Sequence, residues 1–308
     1  MPIDDTVAKL VRRAKQKLDE RFKRRPELAP PYPGDLAGKV AFAVGSGRCG
    51  THFVAKLLEE EPDVFSVHER DPMLEQFHRY CSWYELPIDD AGFLHVVEQR
   101  IRQDLGGGKQ LSFESSPTLC LSMPTLEPAF LPRWLHLIRN PRDVVTSYLH
   151  KGWYTQPFVQ KRPELALGYQ AGTKFQHFFG RIAPRTPSTD PSGIEFAEWN
   201  RLTRVGKLAW YWAAVNAYTL SRSTAIPAAR FRTLRLEDFD YGVYRDVATY
   251  LGFAPRLSRE RFDEIRTARP GKQKNIPKQA WSAVEEAELA RFAGELANRF
   301  EYSLAPRK

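Results

Sequence analysis

The stretch that most constrains the fold covers residues 39–58 and reads KVAFAVGSGRCGTHFVAKLL. It starts with a short apolar run, Val40 to Val44, which is typical of a buried parallel strand, and it ends with apolar residues at helical spacing. Between them lie Gly45, Gly47 and Gly50. Glycines permit backbone angles closed to other residues, so N–H groups can point into the turn beside the positive end of the helix dipole. The pattern predicts a strand, a phosphate-binding turn and a helix.

The turn differs from the phosphate-binding loop of nucleotide triphosphatases, which reads G-x-x-x-x-G-K-[ST]. Gly45 and Gly50 have the required spacing, but Thr51 and His52 stand where the lysine and the Ser/Thr are expected. The cation lies inside the loop instead, at Arg48, and the hydroxyl that would hold Mg²⁺ is missing. The sequence therefore speaks against a kinase or other P-loop phosphotransferase, which stays the alternative enzyme class. A tight strand-to-helix connection without a ligand is the structural alternative.

A second motif, WLHLIRNPRDVVTSY, covers residues 134–148. An apolar strand brings Arg139 to its carboxyl end, a turn follows, and Ser147 projects from the next predicted helix. Because ligands of open parallel sheets bind outside the carboxyl ends of the strands, Arg139 is expected on the same rim as Arg48. An arginine fork and a serine hydroxyl can both donate to phosphate oxygens. The second motif therefore predicts a second phosphate contact near the first.

The two motifs together resemble those of sulfotransferases that use 3′-phosphoadenosine 5′-phosphosulfate (PAPS), in the bacterial or carbohydrate-type branch. GSGRCGTHF is similar to the family's 5′-phosphosulfate loop, and RNPRDVVTS is similar to its 3′-phosphate motif, R-[ND]-P-R-D-x-x-x-S. The resemblance implies transfer of a sulfuryl group from PAPS to a hydroxyl or amine of a glycan, a lipid or a small molecule. It implies no metal, because arginines supply the positive charge. The residues that it assigns to PAPS are Gly47, Arg48, Cys49, Gly50, Thr51, His52, Arg139, Ser147 and, in a basic C-terminal loop, Lys272 and Lys274.

A predicted second strand, Val64 to Val67, leads into the polar string His68-Glu69-Arg70-Asp71-Pro72. Sulfotransferases similar in this region place an acidic residue just after their second strand, and in several branches it is the general base. The resemblance thus implies that Glu69 takes the proton of the acceptor while Arg48 stabilises the leaving group. His68 is the alternative base, since cytosolic members use a histidine. A surface carboxylate that caps the next helix or pairs with Arg70 is the structural alternative.

A predicted third strand, Leu111 to Phe113, leads into Glu114-Ser115-Ser116-Pro117. This string resembles the E-[KST]-[ST]-P sequence with which many sulfotransferases line the acceptor site. The resemblance implies that Glu114 and Ser115 contact the acceptor substrate. The alternative is that Glu114 only caps the segment that follows it.

The order of strands and helices predicts an α/β fold with a P-loop-like central parallel sheet of about five strands, flanked by helices and carrying a helical or loop insertion. We expect residues 39–308 to form a sulfotransferase domain. Residues 149–205, rich in aromatic, proline and basic residues, are predicted to be an acceptor-side insertion or lid. Residues 1–38 are predicted to be a basic amphipathic extension with a proline-rich linker. Its helix either packs on the domain or makes peripheral membrane contact through residues 1–25.

Composition narrows the remaining classes of function. The net charge of +9 suits an anionic ligand, but the charge is spread along the chain and forms no tract typical of a nucleic-acid partner. Three cysteines without a C-x-x-C pair favour a reducing compartment. The sequence contains no membrane-spanning apolar run and no secretory h-region, so we expect a cytoplasmic protein. The alternative to an enzyme is a catalytically silent protein that binds a nucleotide or serves as a scaffold.

Overall fold

A computed structural model of the chain describes residues 34–155, 158–159, 169–170, 182–185, 193–268 and 280–306. The strands in these residues are β1 (Val40–Gly45), β2 (Val64–His68), β3 (Leu111–Ser115), β4 (Arg133–Ile138), β5 (Phe158–Val159), β6 (Tyr169–Gln170) and β7 (Phe231–Arg235). The helices are α1 (Thr51–Glu59), α2 (Pro72–Tyr84), α3 (Asp90–Gly106), α4 (Met123–Phe130), α5 (Pro141–His150), α6 (Phe196–Arg201), α7 (Arg204–Ser223), α8 (Tyr241–Leu251), α9 (Arg259–Thr267) and α10 (Ala283–Arg299).

The central sheet has five parallel strands in the order β2-β3-β1-β4-β7. Strand β1 lies in the middle and is completely buried, as its apolar sequence predicts. From β1 the chain continues to β2 at one edge of the sheet, whereas from β4 it continues towards β7 at the other edge. The connections that follow the neighbouring strands β1 and β4 therefore lead in opposite directions. A crevice at such a topological switch point is where open α/β sheets bind ligands. The predicted fold class, a P-loop-like parallel sheet of five strands flanked by helices, is confirmed.

One face of the sheet packs on helices through a continuous apolar core that includes Val54, Leu57, Val247 and Phe262. Helix α7 supplies Trp210 and Trp212, which are also almost completely buried. Because apolar side chains of both sheet and helices are removed from water here, this packing supplies the main stabilisation of the domain. The core therefore holds the carboxyl edge of the sheet in place.

The predicted insertion at residues 149–205 is described only in part. In its last part, α6 places Trp199 in the core, where its ring lies 5.5 Å from that of Trp210. Residues 1–33 of the predicted extension lie outside the described residues. Residues 269–279, in the predicted C-terminal loop, also lie outside them. Among the described helices, none combines the length and the apolar character that a bilayer crossing requires.

The buried His136 on β4 should make the stability of the fold depend on pH. Its Nε2 lies 2.9 Å from Asn216 Oδ1, and burial lowers its pKa from 6.5 to about 4. Between these values the unfolded chain binds more protons than the folded one, so the free energy of unfolding falls as the pH falls. We expect His136 to account for a loss of about 2 kcal/mol between pH 7 and pH 5. Urea unfolding at both pH values should show a smaller loss in His136→Gln, and an equal loss in the two proteins would contradict the prediction.

Candidate active site

The glycine-rich turn between β1 and α1 has the backbone that its sequence predicts. Gly47 and Gly50 have positive φ angles of 78° and 100°, and Arg48 between them also has a positive φ, 55°. Positive φ is rare for a residue with a Cβ, so the turn holds Arg48 in an uncommon conformation. Helix α1 begins at Thr51, and its N-cap is Gly50, which has no side chain to cap the first N–H groups. These N–H groups can therefore bind an anion.

Tyr148 on α5 fixes the turn from the side. Its hydroxyl donates a hydrogen bond of 2.8 Å to the carbonyl oxygen of Ser46. A Cβ added at Gly47 would collide with this hydroxyl, and one added at Gly50 would lie 2.5 Å from Leu236 Cδ1. The glycines are therefore needed for close packing around the turn as well as for its backbone angles.

The two sequence motifs meet at the mouth of the turn. Arg48 Nε donates a hydrogen bond of 2.7 Å to Ser147 Oγ, and Arg139 Nη1 donates one of 3.1 Å to the carbonyl oxygen of Arg48. Arg139 also lies 3.7 Å from Asp143. The side chain of Arg139 is about one-third exposed, and Arg48 is exposed, so both guanidinium groups face solvent. The structure thus places two cations and a hydroxyl beside the N-terminus of α1.

Hydrogen bonds with α7 and with Glu237, partly or fully buried, hold the Arg139 segment in place. Trp212 Nε1 donates to the carbonyl oxygen of Arg139 at 3.1 Å, and Asn216 Nδ2 donates to the carbonyl oxygen of Trp212 at 2.8 Å. The backbone N–H of Asn140 donates to Glu237 Oε1 at 2.9 Å. Asn216 on α7 is completely buried, and its Oδ1 lies 2.9 Å from His136 Nε2.

The C-terminal tail packs against the same motif, which the sequence did not indicate. Asn140 Nδ2 donates to the carbonyl oxygen of Ser303 at 2.9 Å, and Arg142 Nε donates to that of Leu304 at 2.7 Å. The Arg142 guanidinium also pairs with Glu286 and lies 4.4 Å from the centre of the Trp281 ring. Arg142 therefore anchors the tail, while Arg139 is the arginine of this motif that faces the turn.

The candidate base Glu69 directly follows β2. It has a positive φ of 48°, and its backbone N–H donates to the carbonyl oxygen of Ser115 at 3.2 Å. Its side chain is one-third exposed. Burial, followed by the charge of Glu75, raises its pKa above the usual value of a glutamate, although Arg79 and Arg48 oppose the shift. A carboxylate with a raised pKa is a stronger base, which suits proton abstraction.

His68, the alternative base, lies between Glu69 and the turn. Its Nε2 is 3.1 Å from Thr51 Oγ1, and its Nδ1 is 4.0 Å from Glu69 Oε2. Burial and the nearby His52 lower the pKa of His68 to about 4. The imidazole is therefore neutral at neutral pH and can donate from one ring nitrogen only.

Glu114 and Ser115, the residues assigned to the acceptor, are buried in this structure. Glu114 accepts a hydrogen bond of 3.2 Å from the backbone N–H of Arg70, and burial together with the neighbouring Glu75 raises its pKa strongly. Ser115 Oγ donates to the carbonyl oxygen of Thr51 at 2.8 Å. Both residues thus support the segments that carry the turn and the candidate base, and a contact with the acceptor stays a prediction.

The remaining residues assigned to PAPS are placed as follows. Cys49 is completely buried, and burial raises the pKa of its thiol to about 12, so this residue presents its backbone rather than its side chain to the turn. His52 is exposed and its ring lies 5.2 Å from that of His68 in an edge-on arrangement. Lys272 and Lys274 lie outside the described residues.

No protein-family model and no curated protein matches the sequence. The solved structures to which the chain is similar include a sulfotransferase from Alicyclobacillus acidocaldarius, with 16% identity, 86% of this chain and 96% of that chain covered, and a TM-score of 0.49. A sulfotransferase from Mycobacterium avium is 13% identical, with 94% of this chain and 82% of that chain covered and a TM-score of 0.47. A sulfotransferase domain from the curacin biosynthetic pathway is 12% identical, with 87% of this chain and 99% of that chain covered and a TM-score of 0.46.

Proposed function

We propose that this chain is a sulfotransferase that moves a sulfuryl group from PAPS to a hydroxyl or amine of an acceptor. The observation that carries the proposal is the meeting of Arg48, Arg139 and Ser147 at the mouth of the glycine turn. Two arginine forks, a hydroxyl and a helix N-terminus at one place can bind two separate phosphate groups. PAPS carries such groups at the 3′ and 5′ positions of its ribose.

The residues present fit this nucleotide. Ser147 Oγ accepts a hydrogen bond from Arg48, so its own hydroxyl proton is free to be donated to a phosphate oxygen. Ser147 and Arg139 would hold the 3′-phosphate. The N–H groups of the turn, together with Arg48 and Thr51, would hold the 5′-phosphosulfate. A side chain at position 47 would collide with the Tyr148 hydroxyl, so glycine is needed there for the turn to keep the conformation that would bind the anion.

Glu69 acts as the general base in the proposed reaction. It takes the proton of the acceptor hydroxyl or amine as the acceptor atom forms its bond to sulfur. PAPS supplies the activated sulfuryl group, whose bond to the bridging phosphate oxygen breaks with the electron pair staying on that oxygen. Arg48 and the N–H groups of the turn stabilise this growing negative charge. Catalysis therefore depends on the positioning of acceptor and donor and on electrostatic stabilisation of the leaving group.

Calorimetric titration tests the proposal, with adenosine 3′,5′-bisphosphate (PAP) as the probe and without added metal. We expect PAP to bind at least about tenfold more tightly than AMP, because AMP lacks the group that Arg139 and Ser147 would bind. The variant Arg139→Ala should bind PAP about as weakly as AMP. A preference for ATP with Mg²⁺ would point to a phosphotransferase. No binding of any nucleotide, or an unchanged PAP affinity in Arg139→Ala, would contradict the proposed site.

A further inference from the structure

His68 contacts both halves of the candidate site. Its Nε2 lies 3.1 Å from Thr51 Oγ1, at the start of α1, and its Nδ1 lies 4.0 Å from the carboxylate of Glu69. Thr51 is buried, and its backbone carbonyl is fixed by the hydroxyl of Ser115. One imidazole ring therefore connects the proposed donor turn to the proposed base.

The environment of His68 keeps the ring neutral. The charged and titratable groups that face it are His52 on α1, Arg48 in the turn and Glu75 on α2, beside its neighbour Glu69. Burial, His52 and Arg48 lower its pKa to about 4, and Glu75 opposes them. A neutral imidazole has one N–H donor and one nitrogen acceptor, so His68 has two tautomers to choose between.

The two tautomers have different consequences for the site. If the proton is on Nδ1, it faces the Glu69 carboxylate, and Nε2 must accept the hydrogen bond of the Thr51 hydroxyl. If the proton is on Nε2, it donates to Thr51 Oγ1, and the Thr51 hydroxyl can donate to an anion in the turn. Without an anion, the attraction between Nδ1–H and the Glu69 carboxylate favours the first tautomer. A charge-assisted hydrogen bond from Thr51 to a phosphate is stronger than a contact of 4.0 Å, so an anion favours the second.

We propose that His68 is a positioning residue whose tautomer couples binding of the phosphosulfate in the turn to the strength of Glu69 as a base. The inference rests on the proposed function. With the nucleotide bound, Nε2–H donates to Thr51, and Nδ1 becomes an unprotonated acceptor facing Glu69. Moving the proton between the ring nitrogens through solvent leaves the net charge unchanged.

This arrangement favours the protonated form of Glu69 at the stage when it is needed. An unprotonated Nδ1 repels the Glu69 carboxylate. Once Glu69 has taken the proton of the acceptor, its one-third exposed side chain can close the gap of 4.0 Å and donate a hydrogen bond to Nδ1. The acceptor proton then stays on Glu69 Oε2, shared with His68 Nδ1, until the product leaves. The base, whose pKa burial already raises, is therefore strengthened further when the sulfuryl donor is in place.

Nitrogen NMR of the histidine side chains tests the proposal on the full chain, since protonated and unprotonated ring nitrogens have well-separated shifts. His68→Gln identifies the signals of His68. We expect the Nδ1–H tautomer in the free protein and the Nε2–H tautomer with PAP bound. If PAP binds and the tautomer is the same in both states, the inference is overturned while the proposed function stands. If PAP does not bind, both are overturned.

Kinetics provide the second test. The amide of His68→Gln can still donate to Thr51 but has no atom in place of Nδ1, so PAP affinity should change by less than about twofold while kcat falls about tenfold. The acid limb of its kcat profile should also move to lower pH. His68→Ala should lose PAP affinity as well. The matched control is His95→Gln, which alters an exposed α3 contact of 2.9 Å with Gln99 and should change neither quantity. A wild-type kcat profile in His68→Gln would overturn the proposal.

Discussion

Replacement of Glu69 by glutamine should lower kcat by about 10²- to 10⁴-fold, the usual contribution of a general base. The shape of the side chain is kept, so PAP affinity should stay within about twofold of wild type, because the contacts proposed for the nucleotide involve Arg48, Arg139 and Ser147 rather than Glu69. Turnover is measured as transfer of labelled sulfate from PAPS to the best acceptor in a panel of alcohols, phenols, sugars and amines. Affinity is measured by calorimetry.

The pH profile identifies which residue is the base. Because the pKa of Glu69 is raised, kcat/KM should rise with pH through a limb above the usual range of a glutamate. If His68 were the base, the limb would lie at about 4. Glu59→Gln, an exposed change at the end of α1, is the matched control and should keep full activity. Wild-type turnover in Glu69→Gln would exclude Glu69 as the base.

Replacement of Arg48 by alanine should lower kcat by about 10²- to 10³-fold, as expected when one donor that stabilises developing charge is removed. Arg48 Nε also contacts Ser147, so the variant should weaken PAP binding too. Arg48→Lys keeps the charge but not the planar fork, and it should recover only part of the lost turnover. Single-turnover transfer of labelled sulfate separates the effect on the chemical step from the effect on binding.

The effect of Arg48→Ala should not come from unfolding. Arg48 is exposed, so the urea midpoint of the variant should stay close to that of wild type. Arg102→Ala removes another arginine with ion pairs, to Asp35 and Glu98 on the surface, and should leave turnover unchanged. Full activity in Arg48→Ala, or equal losses in both variants, would contradict a specific role for Arg48.

The sequence predicted those parts of the fold that depend on local patterns. The apolar run of β1 and the helical spacing of the apolar residues in α1 identify these elements by spacing alone, and the structure has both. The glycine turn was also predictable, because positive φ angles and a close approach need that residue. The expectation that Arg139 and Arg48 share one rim followed from the parallel topology, and the contact between Arg139 and the Arg48 carbonyl agrees with it.

Contacts between distant residues could not be predicted in this way. The motif that contains Arg139 also contains Arg142, and nothing in its spacing shows that Arg142 holds the tail at Leu304. Likewise, the string after β2 contains His68 and Glu69, but the contact of His68 with Thr51 depends on how β2 and α1 are placed in three dimensions. Such contacts depend on tertiary packing between distant elements, and no local pattern in a single sequence reveals them.

The central position of β1 has a consequence for synthesis of the chain on the ribosome. Among the strands that the structure describes, β1 is the first to be synthesised, but its partners are residues 112–115 and 133–137. The backbone N–H and C=O groups of this apolar strand stay unpaired until its partner strands have been made, because parallel pairing requires the closure of long loops. Nascent chains halted before residue 138 therefore expose an unsatisfied apolar strand, which is the kind of segment that chaperones bind.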